Sequence, residues 1–259
     1  MLKEYIVDPT ELPWHRGETE GRSYQCQVLL DGTDGGPEAI RFQFDPTLSM
    51  YAHMHLTSQF QLLLGGSMEL PKATMKLRPV AVHYTDHNMP YGPFSVSAGH
   101  ETLVLHPKQG GLTSMADRTA RKQIFLGGRE LSGMDKDVEW LGVPGYEGVR
   151  CKVLIPRWLG PEAVILECPP EVAINAGPAP YGRYEVVLKG SVVAGGRSLG
   201  TPGIRYVVGD DTPAPIQTGA EGGTLMLLSF DKDALEGGLT GEGIAVAAAE
   251  AMARVAGAL

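Results

Sequence analysis

Short apolar runs with a two-residue period dominate this chain. Ile40, Phe42 and Phe44 alternate with Arg41 and Gln43, the signature of a strand with one face buried and the other in water. Similar runs predict strands over 25–30, 39–44, 50–55, 59–64, 80–87 and 102–105. Glycine and proline, 34 and 19 residues and so about a fifth of the chain, punctuate these runs. Many short strands with turns between them predict an all-β antiparallel sandwich or barrel rather than a helical protein. Only the tail reads as helix: over 241–256, Ile244, Ala248, Met252 and Val255 fall on one face.

The same pattern occurs twice. Cys26-Gln27-Val28-Leu29-Leu30 recurs 125 positions on as Cys151-Lys152-Val153-Leu154-Ile155. Gly36-Pro37-Glu38-Ala39-Ile40 recurs 124 positions on as Gly160-Pro161-Glu162-Ala163-Val164, and Leu64-Gly65-Gly66-Ser67 matches Leu188-Lys189-Gly190-Ser191 at that same offset. Near the end of the unit Thr102-Leu103-Val104-Leu105 matches Thr224-Leu225-Met226-Leu227. Identity at turn glycines and strand apolars, with a slow drift in offset, is what a duplicated fold leaves behind. The organisation predicted is an N-terminal barrel over 1–110, a linker over 111–145 with a charged stretch around Arg118–Lys122, and a C-terminal barrel with its closing helix over 146–259.

Composition narrows the partners. The 259 residues are 43% hydrophobic and 20% charged, which is ordinary globular usage. Lys plus Arg number 22 against 30 Asp plus Glu, and a net charge of -8 repels phosphate backbones, so nucleic acid is not expected as a partner. Charges and prolines interrupt the first 18 residues, and no apolar run reaches membrane-spanning length; a cytoplasmic protein without a membrane partner is expected. Cys26, Cys151 and Cys168 are odd in number and form no C-x-x-C pair, which suggests neither a disulfide framework nor a thiolate zinc site. An open barrel edge invites cover by a second copy, and a homodimer is expected.

The candidate chemistry lies in the first copy. Of seven histidines, all but His15 fall between residues 53 and 106. His53 and His55 alternate on one strand, so both rings leave the same face about 7 Å apart along the backbone, a geometry suited to two imidazoles on one metal ion. After the turn Leu56-Thr57-Ser58, Gln59 and Gln61 begin the next strand with side chains toward the same interior, where an amide oxygen can reach an ion. Further on, His83, Thr85 and His87 share a face and offer a third imidazole, His87 or alternatively His83. His15, His100 and His106 read as surface or loop residues, and Met50, Met54, Met68, Met75 and Met89 as barrel filling.

These residues resemble the first motif of the cupin superfamily, G-x5-H-x-H-x3/4-E-x6-G, through His53-x-His55-x3-Gln59-x6-Gly66. With the duplication, the chain is similar to a bicupin, two tandem jelly-roll-like barrels, over about 23–108 and 148–230. It departs from the pattern at the first glycine, which is absent, and at Gln59, which stands where the family has Glu. The second motif, P-x-G-x2-H-x3-N, is poorly matched by the histidines of His83–Pro93. In the second copy the ligand positions fall on Gly177, Ala179, Arg183 and Asp210, so no metal site is expected there, and Arg183 should pair with Glu185 or hold an anion.

The resemblance implies a divalent metal in the first barrel, Fe(II) before Mn(II), Ni(II), Cu(II) or Zn(II), held by His53, His55, Gln59 and His87, with His83 and Gln61 as alternative ligand or supporting residue. Three imidazoles and a neutral amide offset none of the ion's charge, which favours enolate, carboxylate or catecholate-like oxygens. Tyr91, in the turn Pro90-Tyr91-Gly92-Pro93, falls near the second-motif position and is the candidate catalytic residue, a phenol able to orient substrate or donate a proton. The expected function is a metal-dependent oxidoreductase, a dioxygenase, acting on a small oxygen-bearing organic molecule. Its alternatives are a redox-neutral isomerase, cyclase or hydrolase and a non-catalytic small-ligand binding cupin.

Overall fold

The alternating runs become the strands of two antiparallel sheets that share a buried face. In this computed structural model, residues 1–19, 22–46, 48–70, 75–125 and 127–236 are described. The first sheet has the strand order Glu130–Met134, Ala81–Thr85, Gln59–Gly65, Glu101–His106, Glu38–Phe44, Arg22–Asp31, His15–Thr19. The second runs Lys3–Val7, Ile204–Gly209, Ala179–Ala194, Ile216–Ser229, Glu162–Cys168, Arg150–Ile155, Leu141–Gly142. Position by position these are equivalent strands of the two repeats, in the same order. All neighbours are antiparallel, as the short turns between them require.

The order exposes an exchange that local patterns do not encode. The N-terminal strand Lys3–Val7 pairs with Ile204–Gly209 of the second sheet, and Glu130–Met134 pairs with Ala81–Thr85 of the first. Each repeat thus lends its leading strand to the other. The segment 111–145, expected as a linker, instead carries the strands Leu112–Ser114, Glu130–Met134 and Leu141–Gly142, and its second half opens the second repeat. Two predicted strands also shorten: 50–55 divides into Ser49–Met50 and His53–His55, and 80–87 ends at Thr85. The helix predicted over 241–256 lies outside the described residues. Among the described residues no helix is long and apolar enough to cross a membrane.

The largest core lies between the sheets. Phe60, Leu62, Val82, Tyr84, Leu103 and Leu105 of the first pack with Ile165, Tyr184, Val186, Ile204, Met226 and Leu228 of the second, all buried. Alternation then fixes the other face. Gln59, Gln61, His83, Thr102, Val104 and His106 turn away from that core into the first barrel, which the sheet Ser49–Met50, Phe94–Val96, Met68–Leu70, Met75–Leu77 closes. Leu48, Leu63, Met68, Leu77 and Phe94 fill part of this barrel. The second barrel is filled by its own cluster, including Val187, Val192, Leu199, Ile216 and Leu225. There Arg183 donates to Glu185 Oε1 at 3.0 and 2.9 Å, the internal pair anticipated for it. Arg205 reaches Glu4 Oε1 at 2.6 Å, so the exchanged strand supplies a carboxylate to the barrel it joins.

A second tie crosses the interface. Arg129 donates from Nε and Nη2 to the two Asp86 oxygens at 2.9 and 2.8 Å, and from Nη1 to Asp231 Oδ2 at 2.6 Å. Tyr84 Oη donates to Asp86 Oδ1 at 2.8 Å. Burial by itself would raise the Asp86 carboxyl, but the Arg129 hydrogen bonds and charge outweigh it and hold the group below the usual carboxylate range. Removing the guanidinium leaves two carboxylates without their shared partner. Arg129→Ala should therefore lose about 3–5 kcal/mol of unfolding free energy in urea at neutral pH. A loss below about 1 kcal/mol, the scale of an exposed pair, would show that the fork ties nothing together.

Candidate active site

Four side chains of the first barrel converge on one oxygen. His53 and His55 project from the short strand His53–His55, which pairs with Leu112–Ser114, while His53 also bridges to the backbone of Tyr91. This pairing carries the Tyr91 ring inward, where it is 2% exposed. Its hydroxyl lies 2.7 Å from His53 Nε2 and 3.3 Å from His55 Nε2, and it accepts from Gln61 Nε2 at 2.9 Å. The Tyr51 carbonyl, an obligate acceptor, lies 2.7 Å from His53 Nδ1, so that nitrogen carries the proton. In the neutral ring Nε2 is then a bare lone pair, and the Tyr91 hydroxyl donates to it. The backbone of Gly111 is likewise a hydrogen-bond partner of the His55 ring.

Burial disfavours charge on this cluster. It lowers the His53 ring's pKa, and it takes His55 well below the ordinary imidazole value with help from the neighbouring His106 and His53. The same desolvation raises the Tyr91 phenol above its ordinary value. Gln59 lies deeper than Gln61, donates to Thr85 Oγ1 at 3.1 Å, and also hydrogen-bonds Tyr91. Both amide oxygens, Gln59 Oε1 and Gln61 Oε1, are buried without a hydrogen-bond partner. Unpartnered buried acceptors in the same barrel as two imidazole nitrogens are donor types that suit a divalent cation.

The other predicted residues divide. His83 faces Gln61 across the sheet and packs its ring 5.6 Å from that of Tyr91, with Nδ1 2.8 Å from Ser132 Oγ. His87 goes elsewhere. The strand ends at Thr85, a turn follows with Asn88 at φ 52°, and the His87 ring stacks on Phe125 at 5.4 Å. The expectation that His83, Thr85 and His87 share one strand face is therefore corrected: the strand ends at Thr85 and His87 lies in the turn beyond it. Among the described residues, no group of three or more His, Cys, Asp or Glu is placed to hold a metal.

Two of the histidines read as surface or loop residues are buried, His106 on a strand and His100 in the loop before it. His106 is 1% exposed, its ring lies 4.9 Å from that of His55, and its Nδ1 donates to the Ser58 carbonyl at 3.2 Å. His100 is buried and stacks on Phe44 at 5.5 Å. The strand alternation of Thr102, Val104 and His106 was the available signal. Thr102 Oγ1 donates to the Leu62 carbonyl at 3.2 Å. At the end of the first motif Gly66 has φ +63°, and a Cβ there would meet the backbone of His100 at 2.7 Å, so this turn requires glycine.

His53, His55, Gln61, Tyr91 and His106 line a 390 Å³ cavity whose wall also includes the apolar side chains of Ile40, Phe42, Phe44, Met50 and Phe94. No protein-family model matches the sequence, and no curated protein matches it in sequence. Solved structures do match in shape. A provisionally assigned dioxygenase from Nostoc punctiforme PCC 73102 superposes with TM-score 0.65 at 13% identity, over 89% of this chain and 84% of that one. The oxalate decarboxylase of Lactobacillus farciminis, in complex with formate, gives 0.60 at 10% identity, covering 87% and 86%. HEPD of Streptomyces albus, with 2-hydroxyethylphosphonate and Fe(II) bound, gives 0.57 at 12% identity, covering 91% and 77%. The fold is a cupin fold. Within it, His53 and His55, Gln59 and Thr102 lie on three different strands of the first barrel.

Neutral buried imidazoles make the stability of this cupin barrel depend on pH. His83, His100 and His106 are each pushed down to about 4 by burial. Their unfolded value is about 6.5, so the folded protein binds fewer protons between the two values. The stabilisation is complete above about pH 6.5 and is lost as pH falls toward 4, each ring adding a slope of about 1.4 kcal/mol per pH unit. The urea midpoint should therefore drop steadily from pH 7 to pH 5, and less steeply in His100→Phe. A flat profile would mean that these rings accept protons inside the folded barrel.

Proposed function

We propose that the first barrel is the catalytic centre of a metal-dependent enzyme acting on a small oxygen-bearing organic molecule, with dioxygenation as the reaction. The observation that carries this reading is the approach of His53 Nε2 and His55 Nε2 to one point, the Tyr91 hydroxyl, at the wall of a largely apolar cavity that Gln61 also lines. His53 and His55 would hold the ion through Nε2, with an amide oxygen of Gln61 or Gln59 as the neutral third donor. Hydrogen bonds from the opposite ring nitrogens to backbone carbonyls are the usual means of fixing such ligands. His83, rather than His87, is the further imidazole packed against Tyr91. A bound divalent ion supplies Lewis acidity and, as Fe(II), a site for dioxygen.

The chain's own residues supply the rest. Tyr91 can donate its hydroxyl proton to a developing oxyanion while the Gln61 amide holds the phenol in place. The apolar wall excludes water and strengthens each of these polar contacts. That same hydroxyl, held between two neutral imidazoles, favours a second reading. In a redox-neutral isomerase, cyclase or hydrolase, Tyr91 would exchange a proton with substrate and no dioxygen would be consumed.

Protein prepared without a histidine tag should carry one divalent ion per chain by elemental analysis. His53→Ala and His55→Ala should each weaken that binding by more than about tenfold, whereas His87→Ala should retain it. Full occupancy in the first two variants, or none in the parent protein, would overturn the metal site. Oxygen uptake with Fe(II) and substrate supports dioxygenation, and undiminished turnover under argon supports the redox-neutral reading.

A further inference from the structure

The His106 ring, 4.9 Å from that of His55, faces a carboxylate across the cavity wall. Its Nδ1 donates to the Ser58 carbonyl at 3.2 Å, so in the neutral ring Nε2 is a bare lone pair. Glu38 Oε2 lies 3.8 Å from that nitrogen, beyond hydrogen-bond reach. The same oxygen accepts from the Gly110 backbone N–H at 3.0 Å. Both residues line the cavity, His106 at 1% exposure and the Glu38 side chain at 16%. Two acceptors held this close and this dry cannot satisfy each other, and a group that donates to both would relieve them.

Strand alternation puts the carboxylate here without a base. Along Glu38–Phe44, the residues Glu38, Ile40, Phe42 and Phe44 line the cavity, while Arg41 turns to the other face and pairs with Glu101 at 2.9 and 2.7 Å. Among the described residues no lysine or arginine lines the cavity, and none lies within ion-pair distance of Glu38. Burial raises the Glu38 carboxyl above its ordinary value, the Gly110 hydrogen bond offsets part of this, and the negative charge of Asp31 adds to it. Gln61 Oε1, on a cavity residue only 6% exposed, is a further acceptor without a hydrogen-bond partner. A ligand matched to these groups donates hydrogen bonds and carries positive charge, whereas an anion would be buried against a carboxylate.

We propose that the first barrel binds its ligand by a protonated primary amine seated between Glu38 and His106, with the rest of the molecule against the apolar wall. An ammonium group has three N–H donors, enough for a Glu38 oxygen, His106 Nε2 and one further acceptor, and its charge compensates the carboxylate. This deepens the proposed function, because the small oxygen-bearing substrate would then carry an amino group. It rests on that reading for catalysis, whereas the binding itself requires no ion. Cyclohexylmethylamine, cyclohexylmethanol and cyclohexanecarboxylate test it: they share one apolar ring and present a cation, a neutral hydroxyl and an anion.

Titration calorimetry at pH 7 on the full chain, as purified and after EDTA treatment, should show the amine binding about tenfold or more tighter than the alcohol, the scale of a hydrogen bond to a charged group. The carboxylate should bind more weakly than both. The order should be the same in the two preparations, which separates this site from an amine ligating a metal ion. Glu38→Gln keeps an acceptor for the Gly110 N–H and should cut the amine's advantage to about twofold or less, while the alcohol binds as before. Glu18→Gln, at an exposed position on the same cavity, should leave the advantage in place. An amine that binds no tighter than the alcohol in the parent chain, an advantage that survives Glu38→Gln, or one that disappears with EDTA would each overturn the proposal. Zn(II) binding by the parent chain is measured separately. Its failure with the amine preference intact would remove the ion and keep the amine site, whereas Zn(II) binding without that preference would do the reverse.

Discussion

The arrangement of this molecule follows from which face of the first sheet is covered. Phe60, Leu62, Val82, Tyr84, Leu103 and Leu105 are buried against the second sheet, and because side chains alternate strictly along a strand, their neighbours must point into the first barrel. Gln61 lies between Phe60 and Leu62, His83 between Val82 and Tyr84, and Val104 between Leu103 and Leu105. A slip of one residue in any of these strands would put an amide or imidazole into an apolar core and a leucine into the site, at a cost of several kcal/mol for each unpaired polar group. The hydrophobic interface between the repeats therefore sets the register of the chemistry on the opposite face.

That dependence gives the second barrel a task although it lacks the ligand residues. Tyr184, buried in the shared core, places its hydroxyl 2.9 Å from the Glu38 carbonyl and 2.7 Å from the His106 carbonyl. It thereby ties down the paired ends of two strands whose side chains line the cavity. The exchanged strands work in the same direction. With Glu130–Met134 on one sheet and Lys3–Val7 on the other, neither repeat completes its sheet alone, and Ser132 of the borrowed strand contacts His83. The divergence of the repeats is then a division of labour: one keeps an open interior, and the other fills its interior and acts as a buttress.

What the sequence disclosed was periodic and local. The alternation around Ile40–Phe44, the twofold recurrence and the inward His53–His55 pair follow from a two-residue period and a fixed spacing, and both survive folding. The fate of His87 did not follow, because the run 80–87 has no proline or glycine to end it; Asp86, held by Arg129 from a distant segment, forms the turn instead. His106 was obscured for a related reason. It closes an apolar run beside Pro107, where a loop residue is the natural reading, and only pairing with Glu38–Phe44 shows which way it points. The strand exchange was not legible, since it depends on which sheet edge lies nearest and not on any property of residues 130–134.

The centre of the site is where the sequence reading and the folded chain differ most usefully. An ion was expected at the meeting point of the two imidazoles, and a phenol oxygen stands in that region, within hydrogen-bond distance of one ring and 3.3 Å from the other. The Tyr91 hydroxyl, 2.7 and 3.3 Å from the two Nε2 atoms and 2.9 Å from Gln61 Nε2, occupies the point the two rings share, so the cluster is closed by hydrogen bonds at the place where a cation would otherwise sit. The two states draw on the same preorganisation: ring nitrogens held by backbone groups and amides buried without a full set of partners. Gln59 and Thr102 bring no negative charge to this end of the cavity, so a cation held there would draw on neutral donors alone, while the phenol needs none.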